Sequence, residues 1–320
     1  MGKALQFIKD WMLPVAIVTG LTVCLCLHGL PGAERVETVF SAFARRVQPV
    51  MIALMLFLQF SKISPRDLTF HRWHLALLLL QAALFTALTL VAARMDLSEA
   101  RIGVECAALC LICPTAAAAG VITYKLGGNL SSSVTFVVLD NLLASVLIPL
   151  LVPLIHPAGD VAFLQGFFRI ARRVFPILVL PLLAAWAVRY TSPHLQEALE
   201  KRIGWAFYVW GICLTLAIYL ATEALLHSGI SLQGALLIAG VALACTLVQF
   251  LTGRLAGKPY GHMESVTAGQ ALGQKNTGFL IWIAYTMMTP VTAVSGGLYS
   301  IFQNLFNSWE LYERRKGGSF

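Results

Sequence analysis

The sequence predicts an all-α integral membrane protein of ten transmembrane helices, arranged as two inverted five-helix repeats. Three observations carry this expectation. Of the 320 residues, 58% are apolar and only 12% charged, whereas a soluble domain carries about 25% charged residues. Apolar runs long enough to cross about 30 Å of hydrocarbon recur along the whole chain, with no polar stretch long enough to fold alone. In each half the fourth span is interrupted by small, polar or helix-breaking residues, as expected where two broken helices occupy matching places in an inverted repeat.

The spans are expected near 11–30, 45–63, 72–93, 101–126, 130–156, 170–189, 203–226, 231–253, 264–286 and 288–311. The first, Trp11 to Leu30, lacks a small-x-small cleavage site and reads as a retained helix rather than a signal peptide. Arg45 and Arg46 open the second as interface anchors, and the third carries Gln81. The fourth holds Cys106, Cys110 and Cys113 on one helical face, then Pro114 and the small run Ala117 to Gly120. Without an accompanying His these cysteines read as packing residues, so neither a metal site nor a disulfide framework is expected. Glu105 sits early in that span, facing the aqueous edge. A serine-rich start opens the fifth, with Asp140 near its mid-depth. Glu223 and Glu264 sit near span ends and read as interfacial, and His28, His227 and His262, also near span ends, read as solvated. The ninth contains "GQALGQKNTGF", and the tenth ends in the aromatic belt and basic flank "NSWELYERR".

The loops fix the expected orientation. Fourteen Lys and Arg fall on one face and eight on the other, Lys275 completing the 23. The excess belongs inside, so both termini are expected in the cytoplasm of a cell whose inner (plasma) membrane holds the protein. This also explains the net charge of +8 without nucleic acid. The repeats divide the chain into 1–156 and 157–320.

Lys275 is the residue that demands a partner. It lies about eleven residues, or about 16 Å, from either end of its span. A charge at that depth costs on the order of 2.5–3.5 kcal/mol on insertion scales, so it needs a counter-charge or a wet cavity. Asp140 is the candidate partner. Small residues alone would explain Ala117 to Gly120 as a helix-packing device, but not Gln270, Gln274, Lys275, Asn276 and Thr277 in one span. The two breaks are therefore expected to meet near the midplane and form a site.

These features resemble the bile acid:sodium symporter family. The resemblance rests on Cys113-Pro114 with the small residues after it, "VITY" at Val121 to Tyr124, "GGN" before the fifth span, "QKNTG" in the ninth, Gln81 where the family has an ion-coordinating glutamine, and the five-plus-five layout. It implies a panel domain of spans 1, 2, 6 and 7 and a core domain of spans 3–5 and 8–10, with spans 4 and 9 broken and crossing. It further implies sodium-coupled import of organic anions by alternating access. The chain departs from the family pattern, as a bacterial-type member with atypical ion sites would. Ala119 and Gly120 stand where the family has a Ser-Asn pair. Aligned on Asn276-Thr277-Gly278, Ala271 replaces a glutamate and Lys275 a glutamine; Val137 replaces a threonine, while Ser133 matches. Sliding the register by one pairs Gln270 with Gln274 but still supplies no anionic ligand. A sodium site needs several hard oxygens, and these replacements remove them.

The expected function is thus secondary transport of organic anions, bile-acid-like or small carboxylates, with the Lys275 ammonium in the place of a sodium ion, paired with Asp140 and helped by Gln81, Gln274 and Ser133. No bound sodium or other cofactor is expected. Asn276, Thr277, Thr115, Thr123 and Asn129 are the candidate substrate contacts. The expected partners are a small organic anion and the bilayer, and the expected unit is a monomer. Other readings are a purely structural ion pair, direct binding of the substrate carboxylate by Lys275, a sodium-coupled symporter with a degenerate site, a channel, or an intramembrane enzyme using Asp140. No phosphate loop and no nucleophilic triad is present.

Overall fold

The computed structural model describes residues 12–61, 64–116, 118–156, 163–201 and 205–316. Lys3, Lys9, Trp11, Lys62, Ala117, Arg202 and the last four residues of the basic tail lie outside the described residues. Among the described residues the regular structure is helical: α1 Met12–Gly29, α2 Glu34–Phe60, α3 Arg72–Ala92, α4 Glu99–Ile112, α5 Ala119–Lys125, α6 Leu130–Ile155, α7 Phe163–Leu178, α8 Leu180–Thr191, α9 Pro193–Lys201, α10 Trp205–Leu226, α11 Leu232–Gly257, α12 His262–Gly273, α13 Thr277–Met287 and α14 Ala293–Arg315.

Among the described residues, six stretches are long and apolar enough to cross a membrane by length and composition: Glu34–Phe60, Arg72–Ala92, Leu130–Ile155, Phe163–Thr191, Tyr208–Leu226 and Leu232–Tyr260. The other four expected spans differ for physical reasons. The stretches expected as spans 4 and 9 are each two short helices around a break, α4 with α5 and α12 with α13. Span 1 is a shorter apolar helix. Span 10 is α14, whose Ser295, Ser300, Gln303, Asn307 and Glu310 are buried and lower its hydropathy.

Two boundaries move. α2 starts at Glu34, so Arg45 lies inside the helix and donates to Tyr285 Oη at 3.0 Å instead of anchoring at an interface. The sixth span begins at Phe163 and breaks at Val179, just before Pro181, whose ring and missing N–H disfavour a continuous helix. α9, an additional short helix, follows it.

Helix starts are set by short polar side chains that accept from otherwise unpaired N–H groups. Ser98 accepts from Arg101 N at 3.3 Å, Asn129 from Ser132 N at 3.2 Å and Ser231 from Gly234 N at 3.0 Å. The helices place polarity inward and Leu79, Val50, Leu236 and Leu255 outward, the arrangement of a chain whose solvent is lipid. α11 packs along α12 and α14, and α10 packs on α1 and α2. Close approach in the α11–α12 hairpin needs Gly253, where a Cβ would collide with the Ala268 carbonyl.

Candidate functional site

The site is built where the two helix breaks meet. α4 ends at Ile112 because Pro114 follows; α12 ends at Gly273, and α13 restarts at Thr277. Backbone groups released by such breaks find no partner in lipid, and here they find each other. Thr115 and Lys275 form an antiparallel bridge. Ala116 N donates to Gln274 O and Asn276 N to Pro114 O, both at 2.8 Å. The remaining carbonyls are capped by side chains: Thr115 Oγ1 donates to Ala271 O at 2.6 Å, Tyr299 Oη to Gly273 O at 2.7 Å, and Cys113 Sγ to Asn276 O at 3.1 Å. Gln303 of α14 clamps Lys275 from both sides, its Oε1 accepting from Lys275 N at 2.9 Å and its Nε2 donating to Lys275 O at 3.2 Å.

The Lys275 side chain is fully buried. Its Nζ donates to Gln81 Oε1 at 3.1 Å and lies 3.7 Å from Asp140 Oδ2, itself fully buried. Gln81 Nε2 closes the triangle by donating to Asp140 Oδ1 at 2.6 Å. Asp140 Oδ2 also accepts from Thr115 N at 2.8 Å, and Thr115 Oγ1 lies at the same distance, its single proton shared between this carboxylate and the Ala271 carbonyl. One carboxylate is therefore held by α3, the α4–α5 break and the α12–α13 break while standing on α6. An ion pair taken out of water is tolerated better when the carboxylate is supported by further donors, as Asp140 is by Gln81 and Thr115.

The other sequence-derived candidates take different places. Gln274 is buried, and its side-chain Oε1 has no hydrogen-bond partner. Ser133 accepts from Thr123 Oγ1 at 3.3 Å, a pair without a hydrogen bond to the Lys275 group. Asn276 caps α13, its Oδ1 accepting from Phe279 N at 3.2 Å. Thr277 is buried at the first turn of α13. Asn129 caps α6, and its Nδ2 donates to Glu264 Oε1 at 2.9 Å. Thr115, an expected substrate contact, holds Asp140 and the Ala271 carbonyl. The bury-or-solvate expectations for three acids are corrected. Glu264 is 3% exposed and takes hydrogen bonds from Trp73, Ser132 and Asn129. Glu105 is fully buried against Arg101 and His156. Glu223 is buried and accepts from Tyr285 Oη at 2.7 Å. In each case the cost of a buried charge is offset by donors, distant in sequence for Glu264 and Glu223 and, for Glu105, joined by Arg101 one turn away on the same helix.

Gln303, Tyr299 and Gln249 are the participants that sequence reasoning missed. Gln249 Nε2 donates to Cys110 O at 3.1 Å and to Tyr299 Oη at 3.0 Å, extending the capping of the break. Gln249 is a polar residue inside an apolar helix, which was the available signal; Tyr299 and Gln303 lie in α14, where several polar residues hide them.

A multi-pass helical protein with two interrupted helices paired at a buried charge cluster is a membrane transporter in its construction. Residues 47–228 match the model of the sodium bile acid symporter family, and the chain belongs to that family, whose members are transporters and not enzymes. The matched stretch includes Gln81, Thr115 and Asp140 and ends before α11 to α14, which carry Lys275 and Gln303. No curated protein matches the chain.

Proposed function

We propose that the protein is a secondary transporter of organic anions that works by alternating access without sodium, because the Lys275 ammonium provides the cation at the helix crossing. The observation that carries this reading is the ammonium itself: a fully buried Nζ between Gln81 Oε1 and Asp140 Oδ2, bridging the second break to α3 and α6. A sodium ion at such a crossing would do the same work, neutralising the carboxylate and holding the broken helices together. A covalently tethered cation needs no gradient to fill its place. Lys275 Nζ is fully buried and already engaged by Gln81 and Asp140, which argues against its serving as a direct carboxylate ligand in this conformation.

The repeats 1–156 and 157–320 supply one broken helix each. In this reading α1, α2, α7, α8 and α10 form the panel, and α3 to α6 with α11 to α14 form the core. Both termini lie in the cytoplasm, as the loop charges favour. Few polar contacts cross the boundary: Gln48 Nε2 to Gly278 O at 2.9 Å, and the chain from Arg45 through Tyr285 to Glu223. These are the contacts that rearrange as the core rocks against the panel. The substrate class is a carboxylate or another small organic anion, met near the crossing.

The test is a thermal-shift screen of purified protein against a panel of organic acids, followed by uptake of the stabilising acid into proteoliposomes with sodium replaced by potassium. Uptake persists in potassium if the reading holds. Uptake abolished by the replacement, or large single-channel currents, would overturn it.

A further inference from the structure

Away from the crossing, three side chains with metal-ligand chemistry converge at one end of the molecule. His28 is in the last turn of α1, Glu37 is in the first turn of α2, and His227 directly follows α10. His28 Nδ1 lies 3.5 Å from Glu37 Oε1, and His227 Nε2 lies 3.9 Å from the same oxygen. All three atoms are within 4.8 Å of one another. The sequence placed both histidines at span ends as isolated solvated groups; folded, their rings meet edge to face with centroids 5.2 Å apart.

Two details set this group apart from a chance encounter of surface residues. Glu37 is only 9% exposed, yet its Oε1 receives no hydrogen bond. A buried carboxylate oxygen without a donor is costly, and a cation placed against it removes that cost. His227 meanwhile donates from Nδ1 to the Glu223 carbonyl at 2.9 Å, which sets the tautomer and leaves the Nε2 lone pair directed to Glu37. An outer hydrogen bond of this kind is the usual companion of a metal-bound imidazole. Metal bonds of about 2.1 Å in a tetrahedral shell put ligand atoms about 3.4 Å apart. The two separations to Glu37 Oε1 need only small side-chain adjustments to match.

We propose that His28 Nδ1, Glu37 Oε1 and His227 Nε2 form a site for Zn²⁺ or a chemically similar divalent transition ion, with water in the remaining position. Two imidazoles and one carboxylate suit such an ion, whereas Na⁺, Mg²⁺ and Ca²⁺ require shells of oxygen. The side chains of His28 and His227 are 42% and 55% exposed, which gives an ion a path in and room for the water. A bound ion ties the ends of α1, α2 and α10 together. It also bears on the α10–α13 boundary, because Glu223 beside it accepts from Tyr285. The site shares no residue with the crossing, so it stands whichever ion drives transport.

The experiment uses tag-free, metal-stripped full-length protein and titrates ZnCl₂ by calorimetry near neutral pH, with Co²⁺ visible absorption as an independent readout. Wild type takes up one Zn²⁺ per chain and melts at a higher temperature with it; Mg²⁺ does neither. His28→Ala, His227→Ala and Glu37→Gln each weaken Zn²⁺ binding at least tenfold, the scale expected for lost ligands and their supports. The two histidine variants keep the metal-free melting temperature of wild type, since both side chains are exposed, so a lost site is distinguishable from a lost fold. Equal Zn²⁺ affinity in the His28→Ala/His227→Ala double variant, or no stoichiometric uptake by wild type, would overturn the proposal.

Discussion

Thr115 and Lys275 face each other across the antiparallel bridge between the two helix breaks, and both reach the same carboxylate, that of Asp140. The backbone pairing therefore fixes the side-chain geometry. Moving either break would separate the ammonium from its counter-charge, so the fold of the crossing and its electrostatics are one feature.

Removing one member of the ion pair leaves the other buried and uncompensated. Lys275→Met and Asp140→Leu are each expected to destabilise the protein by about 3–5 kcal/mol. The double variant should lose much less than the sum, since no unpaired charge remains. Thermal unfolding in detergent across the four proteins checks this; additive losses would mean the two residues do not sense each other.

Thr115→Val keeps shape but removes the hydroxyl that serves Asp140 and the Ala271 carbonyl. The expected loss is about 1–3 kcal/mol, because a buried acceptor is left without its donor. Thr115→Ser should recover most of that loss in the same melting assay.

Gln303→Leu orphans Lys275 N, whose acceptor it removes, while Lys275 O keeps Thr277 N at 2.9 Å. One orphaned N–H predicts a loss of about 1–3 kcal/mol. Faster hydrogen exchange at Lys275 and Asn276, with no change in α1, would locate the effect.

Tyr285→Phe breaks the chain from Arg45 to Glu223 across the proposed panel–core boundary. Hydrogen bonds to charged groups contribute about 1.5–3 kcal/mol. The melting temperature should fall, and exchange at the facing segments of α2 and α13 should rise.

Much of the crossing was legible because polarity inside a membrane helix is conspicuous. Lys275, Asp140 and Gln81 were each out of place in apolar spans, and such residues have to find one another; they do. Proline and glycine likewise marked the two interruptions near Pro114 and Gly273. What stayed hidden depended on three-dimensional proximity or on helix caps. The capping roles of Asn129 and Asn276 were not legible because a capping asparagine and a binding asparagine are the same residue type. Gln303 was one polar residue among several in the last span, and nothing local marked it as the clamp on Lys275. The start of α2 lies ahead of the expected span because the helix begins in a polar turn, where Glu34 and Glu37 suit a helix N-terminus but interrupt the apolar run. Glu264 looked interfacial until Trp73, Ser132 and Asn129 were brought onto it from other helices.

The most direct test of the built-in cation is sodium-specific stabilisation of wild type beside Lys275→Gln, which restores the family-like residue at that position. Melting temperatures are read in sodium and in potassium at equal ionic strength, so that only specific binding to the folded state registers. Wild type should melt at the same temperature in both salts, while Lys275→Gln, with Asp140 unpaired, should be stabilised by sodium. A wild-type melting temperature that rises in sodium and not in potassium would contradict the account.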